Sequence, residues 1–370
     1  LFFRKAAYPR KDLIKLEYFV PDYYDRFVCK CGSCRSCCCG GWSIPVGMEE
    51  YFRLLGLGCS EELRRRMDVS LRVVDAHSEN GIDAGHYAVV SPGYDGRCRI
   101  QRADGLCALQ RECGEGALPE VCRRYPRAPR LVPFAECSTS ASCEKTLELL
   151  FESDAPVSFV RRELAFGGDS DANDRERIYT PEEHMAIRDR AFAVICDRSA
   201  AFPERMRRLG AELSIVGEKS TPSVSVRDAV FGFFEVLART SENMAGRLRR
   251  CREFYAYREI GAYGRLRRMF PGIDVWLEKL YVNHLFYKGF PDSFGSAGEH
   301  LFDEYVSLCA SMALTMLCAG AEAVDKESFI DSVAGVFRVV EHSRFDECAA
   351  AFFHREGFRD AGTVAGILSI

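Results

Sequence analysis

The sequence predicts a mainly α protein in two parts: an irregular cysteine-cluster amino-terminal domain over 1–152 and an all-helical carboxyl-terminal domain over 181–370, joined by a linker at 153–180. Three observations predict this division. Six thiols fall between Cys29 and Cys39, and further cysteines follow at Cys98, Cys107, Cys113, Cys122, Cys137 and Cys143 in contexts that read as loop. Beyond residue 180 the apolar residues recur at the spacing of a helix face, as in Phe329, Val333, Val336, Phe337 and Val340. Between the two parts lies a polar, turn-forming run, Gly167-Gly168-Asp169-Ser170-Asp171-Ala172-Asn173-Asp174.

Taken in order, 13–24 reads as extended chain with a Pro21-Asp22 turn that leads into the thiols. A helix follows over 46–57, from the stripe Met48, Tyr51, Phe52 and Leu55, and Gly56 and Gly58 end it. The Arg- and Glu-rich run 61–74 reads as a second helix, and 78–85 as a loop. Asp95-Gly96-Arg97-Cys98 and Asp104-Gly105-Leu106-Cys107 repeat one unit, an Asp-Gly turn with a thiol at its exit. Cys122 follows a Leu118-Pro119 turn, and Cys143 opens a helix over 144–151. In the second part, Thr180-Pro181-Glu182-Glu183 is a capping box with Pro at the first helical position. Ile187, Ala191, Val194 and Ile195 form the stripe behind it, and helices are expected at 205–215, 226–259, 273–288 and 301–320.

A chain of 370 residues with 47% apolar and 12% aromatic residues can bury substantial cores. The net charge of −4 and pI of 6.1 argue against nucleic acid as a partner, because the arginines are interleaved with Asp and Glu. The most apolar run, 306–319, is too short and too rich in Ser and Thr for an integral membrane segment and reads as a buried helix. No signal-peptide type of apolar region opens the chain, so the expected compartment is the reducing cytoplasm, where eighteen cysteines point to metal rather than disulfides.

Thiolates are soft ligands that select Zn²⁺, Cu(I) or iron–sulfur over Mg²⁺ or Ca²⁺. The spacing matches no standard motif. Two separate zinc knuckles would not share Cys34, as Cys31/Cys34 and Cys34/Cys37 do. Both the ferredoxin pattern and a Cys-x3-Cys-x2-Cys triplet need a thiol where Gly41 stands. Iron–sulfur, zinc and disulfide chemistry therefore all stay open on spacing alone. Cys59, Cys196, Cys251, Cys309, Cys318 and Cys348 read as ordinary core fillers.

A wider pattern sharpens this. Phe27-x-Cys29-x4-Cys34-x3-Cys38-Cys39-x-Gly41-Trp42, Asp95-Gly96-x-Cys98, Gly105-Leu106-Cys107, Cys122-Arg123-x-Tyr125-Pro126-Arg127 and Ser142-Cys143 resemble the flagellin lysine-N-methylase family. The likeness continues at Tyr281-x-Asn283-x-Leu285-Phe286 and Glu341-His342-Ser343. It includes a smaller cysteine-cluster domain shared with zinc- or iron-chelating proteins. The resemblance implies methyl transfer from S-adenosylmethionine to lysine side chains of flagellin, with a [4Fe-4S] cluster. It implies Cys29, Cys34, Cys38, Cys39, Cys98, Cys107, Cys122 and Cys143 as the metal cysteines. Cys31, Cys37, Cys113 and Cys137 are additions to it, and Cys37 is expected to matter least, with Cys31 next.

Such a transfer needs a neutral lysine amine, hence desolvation or a base. His342 and His354 read as packing residues, and Trp42 as a buried anchor. No Gly-x-Gly-x-x-Gly follows a strand, so the methyl donor must be held in another way. Arg123 and Arg127 are the candidates for its carboxylate, with surface ion pairing as the other reading. The rival to an enzyme is a non-enzymatic zinc- or iron-binding protein, which would have little use for so large a helical domain.

Overall fold

The computed structural model describes residues 15–35, 37–74, 77–78, 81–82, 84–166, 178–213, 219–256, 261–292 and 300–370. Its first element is β1 (Lys15–Pro21), whose alternate residues Tyr18 and Val20 turn inward against Tyr24 and Cys137. Then come β2 (Ile44–Val46), α1 (Met48–Leu55), α2 (Glu61–Ser70), β3 (Leu71–Val73), the short pair β4 (His77–Ser78) and β5 (Gly81–Ile82), and β6 (Ala88–Val90). The thiol-bearing turns lead to α3 (Ala108–Cys113), α4 (Glu120–Arg124), β7 (Arg127–Arg130), β8 (Glu136–Thr139), α5 (Glu144–Leu150) and β9 (Phe159–Ala165). The rest is helical: α6 (Pro181–Ile195), α7 (Phe202–Glu212), α8 (Val226–Ala238), α9 (Glu242–Tyr255), α10 (Ala262–Met269), α11 (Ile273–Lys288), α12 (His300–Glu322), α13 (Lys326–His342), α14 (Phe345–Arg355) and α15 (Ala361–Gly366).

The class is therefore mainly α, as expected, with an all-helical carboxyl-terminal part. The amino-terminal part is more ordered than its composition suggests. A four-stranded sheet runs in the order β7-β8-β1-β9 and a three-stranded one in the order β2-β6-β3. β9 falls inside the stretch expected to be linker: it pairs with β1 along its whole length, from Lys15↔Ala165 to Pro21↔Phe159. Its charged residues are paired, Arg161 with Glu17 of β1 at 2.7 Å, Glu163 with Lys15 of β1 at 2.8 Å, and Arg162 with Asp25 in the turn after β1 at 2.6 Å. The Gly-Gly-Asp run at 167–174 lies outside the described residues.

Two helix expectations also change. The run 226–259 breaks at Arg239–Ser241, where the Ser241 hydroxyl accepts the Met244 N–H and caps a new helix. The run 61–74 leaves the helix at Ser70 and continues as β3, since its Leu71 side chain is needed on the sheet against β6. The capping box at Thr180 forms as expected, with Glu183 N–H on Thr180 Oγ1 at 3.2 Å and Thr180 N–H on Glu183 at 2.9 Å.

Helices with apolar residues on every side end up in the middle of a bundle. α11 is such a helix, buried from Leu277 through Phe286, and α12 is another. The window Leu301–Glu322 is long and apolar enough by composition to cross a membrane, but 94% of it is buried by neighbouring helices. The main core reaches across the chain: Tyr23, Phe27, Ala141 and Leu147 pack into the same cluster as the carboxyl-terminal helices. A separate small core, around Val46, Leu54, Met67, Val90 and Leu109, carries Cys98, Cys107 and Cys122 at its edge.

The two parts are joined by buried hydrogen bonds. Asn283 on α11 accepts from the Tyr23 and Ser138 hydroxyls, the latter at 2.8 Å, and donates to Thr139 C=O at 3.0 Å. Asn283→Leu strands those three partners, so it should cost on the order of 3 kcal/mol. Urea unfolding of the two proteins checks this, and an unchanged midpoint would show that the contact is dispensable.

Candidate metal centre

The thiol-rich loop is held from both sides. Lys30 pairs with Glu144 and, at 2.7 Å, with Glu148, while Arg35 N–H donates to the fully buried Glu144 carboxylate at 2.8 Å. From the helical side Arg338 on α13 donates to Cys37 C=O at 2.8 Å and to Gly40 C=O at 3.3 Å. Arg35 also pairs with Asp331 of the same helix at 3.0 Å. Trp42 is half-buried and acts as an anchor, as expected: its indole N–H donates to Cys38 C=O at 2.8 Å, and Arg338 lies over its ring.

Both Asp-Gly turns meet this loop, the first through backbone hydrogen bonds and the second by close packing. Cys98 N–H donates to Cys39 C=O at 2.7 Å, and Gly41 N–H to Gly96 C=O at 2.8 Å. The second turn packs on Gly32 so closely that a Cβ there would stand 2.7 Å from Asp104 C=O. Gly96 and Gly105 both have φ near +80°, the left-handed region that glycine enters without strain. The repeated unit thus delivers Cys98 and Cys107 to one loop, as its spacing suggests.

Cys37, Cys38 and Cys39 place their sulfurs within 4.8 Å of one another, a group that can hold a metal ion. Gly40 N–H closes a turn on Cys37 C=O at 3.2 Å, which gathers three consecutive thiols that an extended strand would send to alternate sides. Cys37, expected to matter least, is therefore one of the three. Its thiol is held far below the ordinary range by hydrogen bonds from the Cys38 and Cys39 thiols, the Cys39 N–H and the Gln101 amide at 3.2 Å. Cys38 is pushed up to about 12 by its bond to Cys37, and Cys39 is raised by its bonds to Cys37 and Cys38. Within the trio, Cys37 is lowered while Cys38 and Cys39 are raised, each by its hydrogen bonds to the other two.

The other expected ligands influence one another in two groups. Cys34, half-buried, is pushed up to about 12 by burial and by the charges of Glu144, Cys143 and Cys29. Cys122, in α4, is raised by burial and by Cys98, Cys107 and Cys38. Cys98 is raised by burial, with Cys107 and Cys37 contributing. The thiols therefore fall into a Cys29, Cys34 and Cys143 side and a Cys98, Cys107 and Cys122 side. Cys137 is no loop residue: it is fully buried on β8, its sulfur 3.6 Å from the Tyr24 hydroxyl. Cys251, Cys309 and Cys318 are core residues as expected, and Cys348 is exposed.

The two arginines proposed for an anionic ligand differ in setting. Arg127 lies over Phe27, with 5.0 Å to the ring centroid, and over Tyr24 at 5.7 Å. Arg123 stands in the last turn of α4, directly after Cys122.

Beside Trp42 is a polar network that sequence reasoning missed. His342, at the end of α13, places Nε2 2.8 Å from Ser142 Oγ and 3.1 Å from Ser140 Oγ. Ser140 Oγ donates to Glu341 Oε2 at 2.6 Å, Ala141 N–H reaches the same oxygen at 2.9 Å, and His284 Nδ1 stands 3.0 Å from Oε1. Tyr125 OH is 3.0 Å from Ser142 Oγ. Tyr125, Ser142, Glu341 and His342 all fall in stretches that carry the resemblance, but nothing in the sequence indicated that they meet. His354 is placed more simply, between Asp303 at 3.1 Å and Phe302.

Comparisons with family models, with curated proteins and with solved structures gave no match.

The donor set fits a soft metal, because every candidate is a thiol. Cys37→Ser should lower the metal content of anaerobically purified protein as strongly as Cys39→Ser, with Cys348→Ala as the unaffected control. Elemental analysis decides it, and full occupancy in Cys37→Ser would remove the trio as a site. Binding must also displace the protons of Cys38 and Cys39. Apparent Co²⁺ affinity of the metal-free protein, followed by thiolate charge-transfer absorption, should therefore rise with pH.

Proposed function

We propose that the chain is an S-adenosylmethionine-dependent protein-lysine N-methyltransferase that acts on flagellin in the cytoplasm and carries a cysteine-bound iron–sulfur cluster. The observation that favours it is the meeting of segments far apart in sequence. Tyr125, Ser142, Glu341 and His342, each from a stretch that resembles the flagellin methylases, join in one hydrogen-bonded network. Trp42, from the thiol stretch of the same resemblance, stands against His342 at 4.9 Å between ring centroids. A simple chelator would need the thiols without this polar assembly beside them.

In this reading Cys37, Cys38 and Cys39 hold the metal with help from the flanking thiols, and Arg338 and Glu144 keep their loop in place. A [4Fe-4S] cluster would supply a Lewis-acidic iron; zinc, the alternative, would supply folding energy and the same soft-ligand fit. The large helical part offers the surface on which a folded protein substrate can dock, and the network lies where it meets the thiol loop.

Incubation of anaerobically purified protein with flagellin and methyl-labelled S-adenosylmethionine should put label on flagellin lysines. Iron and sulfide analysis of the same preparation should separate the cluster from zinc. A loaded metal centre with no methyl transfer overturns the proposal.

A further inference from the structure

The network around His342 has a direction. Glu341 is a buried carboxylate and can only accept, so Ser140 donates to it. Ser140 Oγ is then free to accept from the Ser142 hydroxyl at 2.5 Å. Ser142 Oγ in turn accepts from Tyr125 OH and from His342 Nε2–H. Every donor is used once and the chain ends on the carboxylate. This assigns the tautomer of His342: the proton sits on Nε2, and Nδ1 keeps its lone pair.

The ring is also fixed in orientation. Trp42, Tyr125 and Tyr287 surround it, with centroids at 4.9, 6.0 and 6.5 Å. His342 is nevertheless an exposed residue, so solvent and a substrate can reach it. An imidazole clamped by aromatic rings, tied through one nitrogen to a buried carboxylate and exposed, is arranged as a general base is.

We propose that His342 is the base that takes the proton from the target lysine, at Nδ1, with Ser142, Ser140 and Glu341 as positioning residues; this rests on the methyl-transfer reading above. One N–H bond of the lysine ammonium breaks, its electron pair stays on nitrogen and its proton goes to Nδ1. The amine pair then forms the N–CH₃ bond as the C–S bond of the sulfonium donor breaks, with that pair remaining on sulfur. The imidazolium, stabilised through Nε2–H by the chain to Glu341, returns its proton to solvent.

The surroundings suit a neutral imidazole near neutral pH. Burial of ring atoms lowers its pKa below the ordinary value, Glu341 raises it, and Lys288 and Arg338 lower it. Lys288 is itself paired with Asp346, and Arg338 with the thiol loop's carbonyls. The other groups facing it are Tyr287 from α11, Tyr125 after α4, and Ser140 and Ser142 ahead of α5, while His284 of α11 stands on Glu341.

The test compares the wild type with His342→Gln and Glu341→Gln, each loaded with metal and checked for folding by circular dichroism. His342→Gln keeps a donor for Ser142 and cannot take a proton. Its kcat should fall by roughly 10²-fold or more with little change in KM for flagellin. The deficit should narrow as pH approaches about 10.4, where lysine deprotonates unaided. Wild-type kcat should rise with pH through the imidazole pKa, and Glu341→Gln, which removes the charge that raises it, should move that limb to lower pH.

A second measurement needs no methyl transfer. Diethyl pyrocarbonate acylates only unprotonated imidazole, so the rate of His342 modification against pH, read by peptide mass, gives its pKa directly. That midpoint should lie below the ordinary value and fall further in Glu341→Gln. If the wild type transfers no methyl while this titration behaves as expected, the methyltransferase reading fails and the assigned His342 geometry stands. A wild-type kcat and pH profile in His342→Gln, or a His342 that resists acylation, overturns the assignment of the base.

Discussion

The Glu341 carboxylate is the point on which the two halves of the molecule depend. It is buried, it belongs to the last turn of α13, and it receives the Ser140 hydroxyl, the Ala141 N–H and His284. The segment that follows β8 and carries Ser140 to Cys143 is thus pinned to the helical core by a charge-assisted contact that water cannot replace. Cys143 begins α5, and α5 presents Glu144 to the thiol loop. A carboxylate on a late helix therefore controls, through two short links, where the early cysteines stand.

The thiols need such support because they have little of their own. The loop that bears them is made of brief turns, and its side chains are mostly half-exposed. Its order comes from outside: Arg338 on its carbonyls, Lys30 and Arg35 on Glu144, one Asp-Gly turn bonded along its backbone and a second packed on Gly32. This is the usual relation between a functional loop and a rigid scaffold. The small core behind Cys98, Cys107 and Cys122 adds apolar backing on the opposite side.

Much of the fold could be read in the residues, for reasons that are physical. The capping box at Thr180, the apolar stripes of α6 and α13 and the twin Asp-Gly turns are local signals, complete within a few residues. β9 was hidden because Arg161, Arg162 and Glu163 look like linker until Glu17, Asp25 and Lys15 pair with them. Cys137 looked like a loop cysteine because its burial depends on Tyr18, Val20 and Tyr24, more than a hundred residues earlier in the chain. The same holds at the candidate site. Cys38 and Cys39 were visible as candidate ligands, whereas the placement of Cys37 beside them required the turn at Gly40, and the hydrogen bonds of His342 required partners two hundred residues away.

Arg338 and Asp331 grip the thiol loop from α13, about three hundred residues after it. During synthesis the cysteines leave the ribosome long before the helix that orders them exists. Over that interval they are exposed thiols on an unfinished scaffold, open to oxidation and to the wrong metal. The thiol loop is therefore ordered late, once α13 has packed against it.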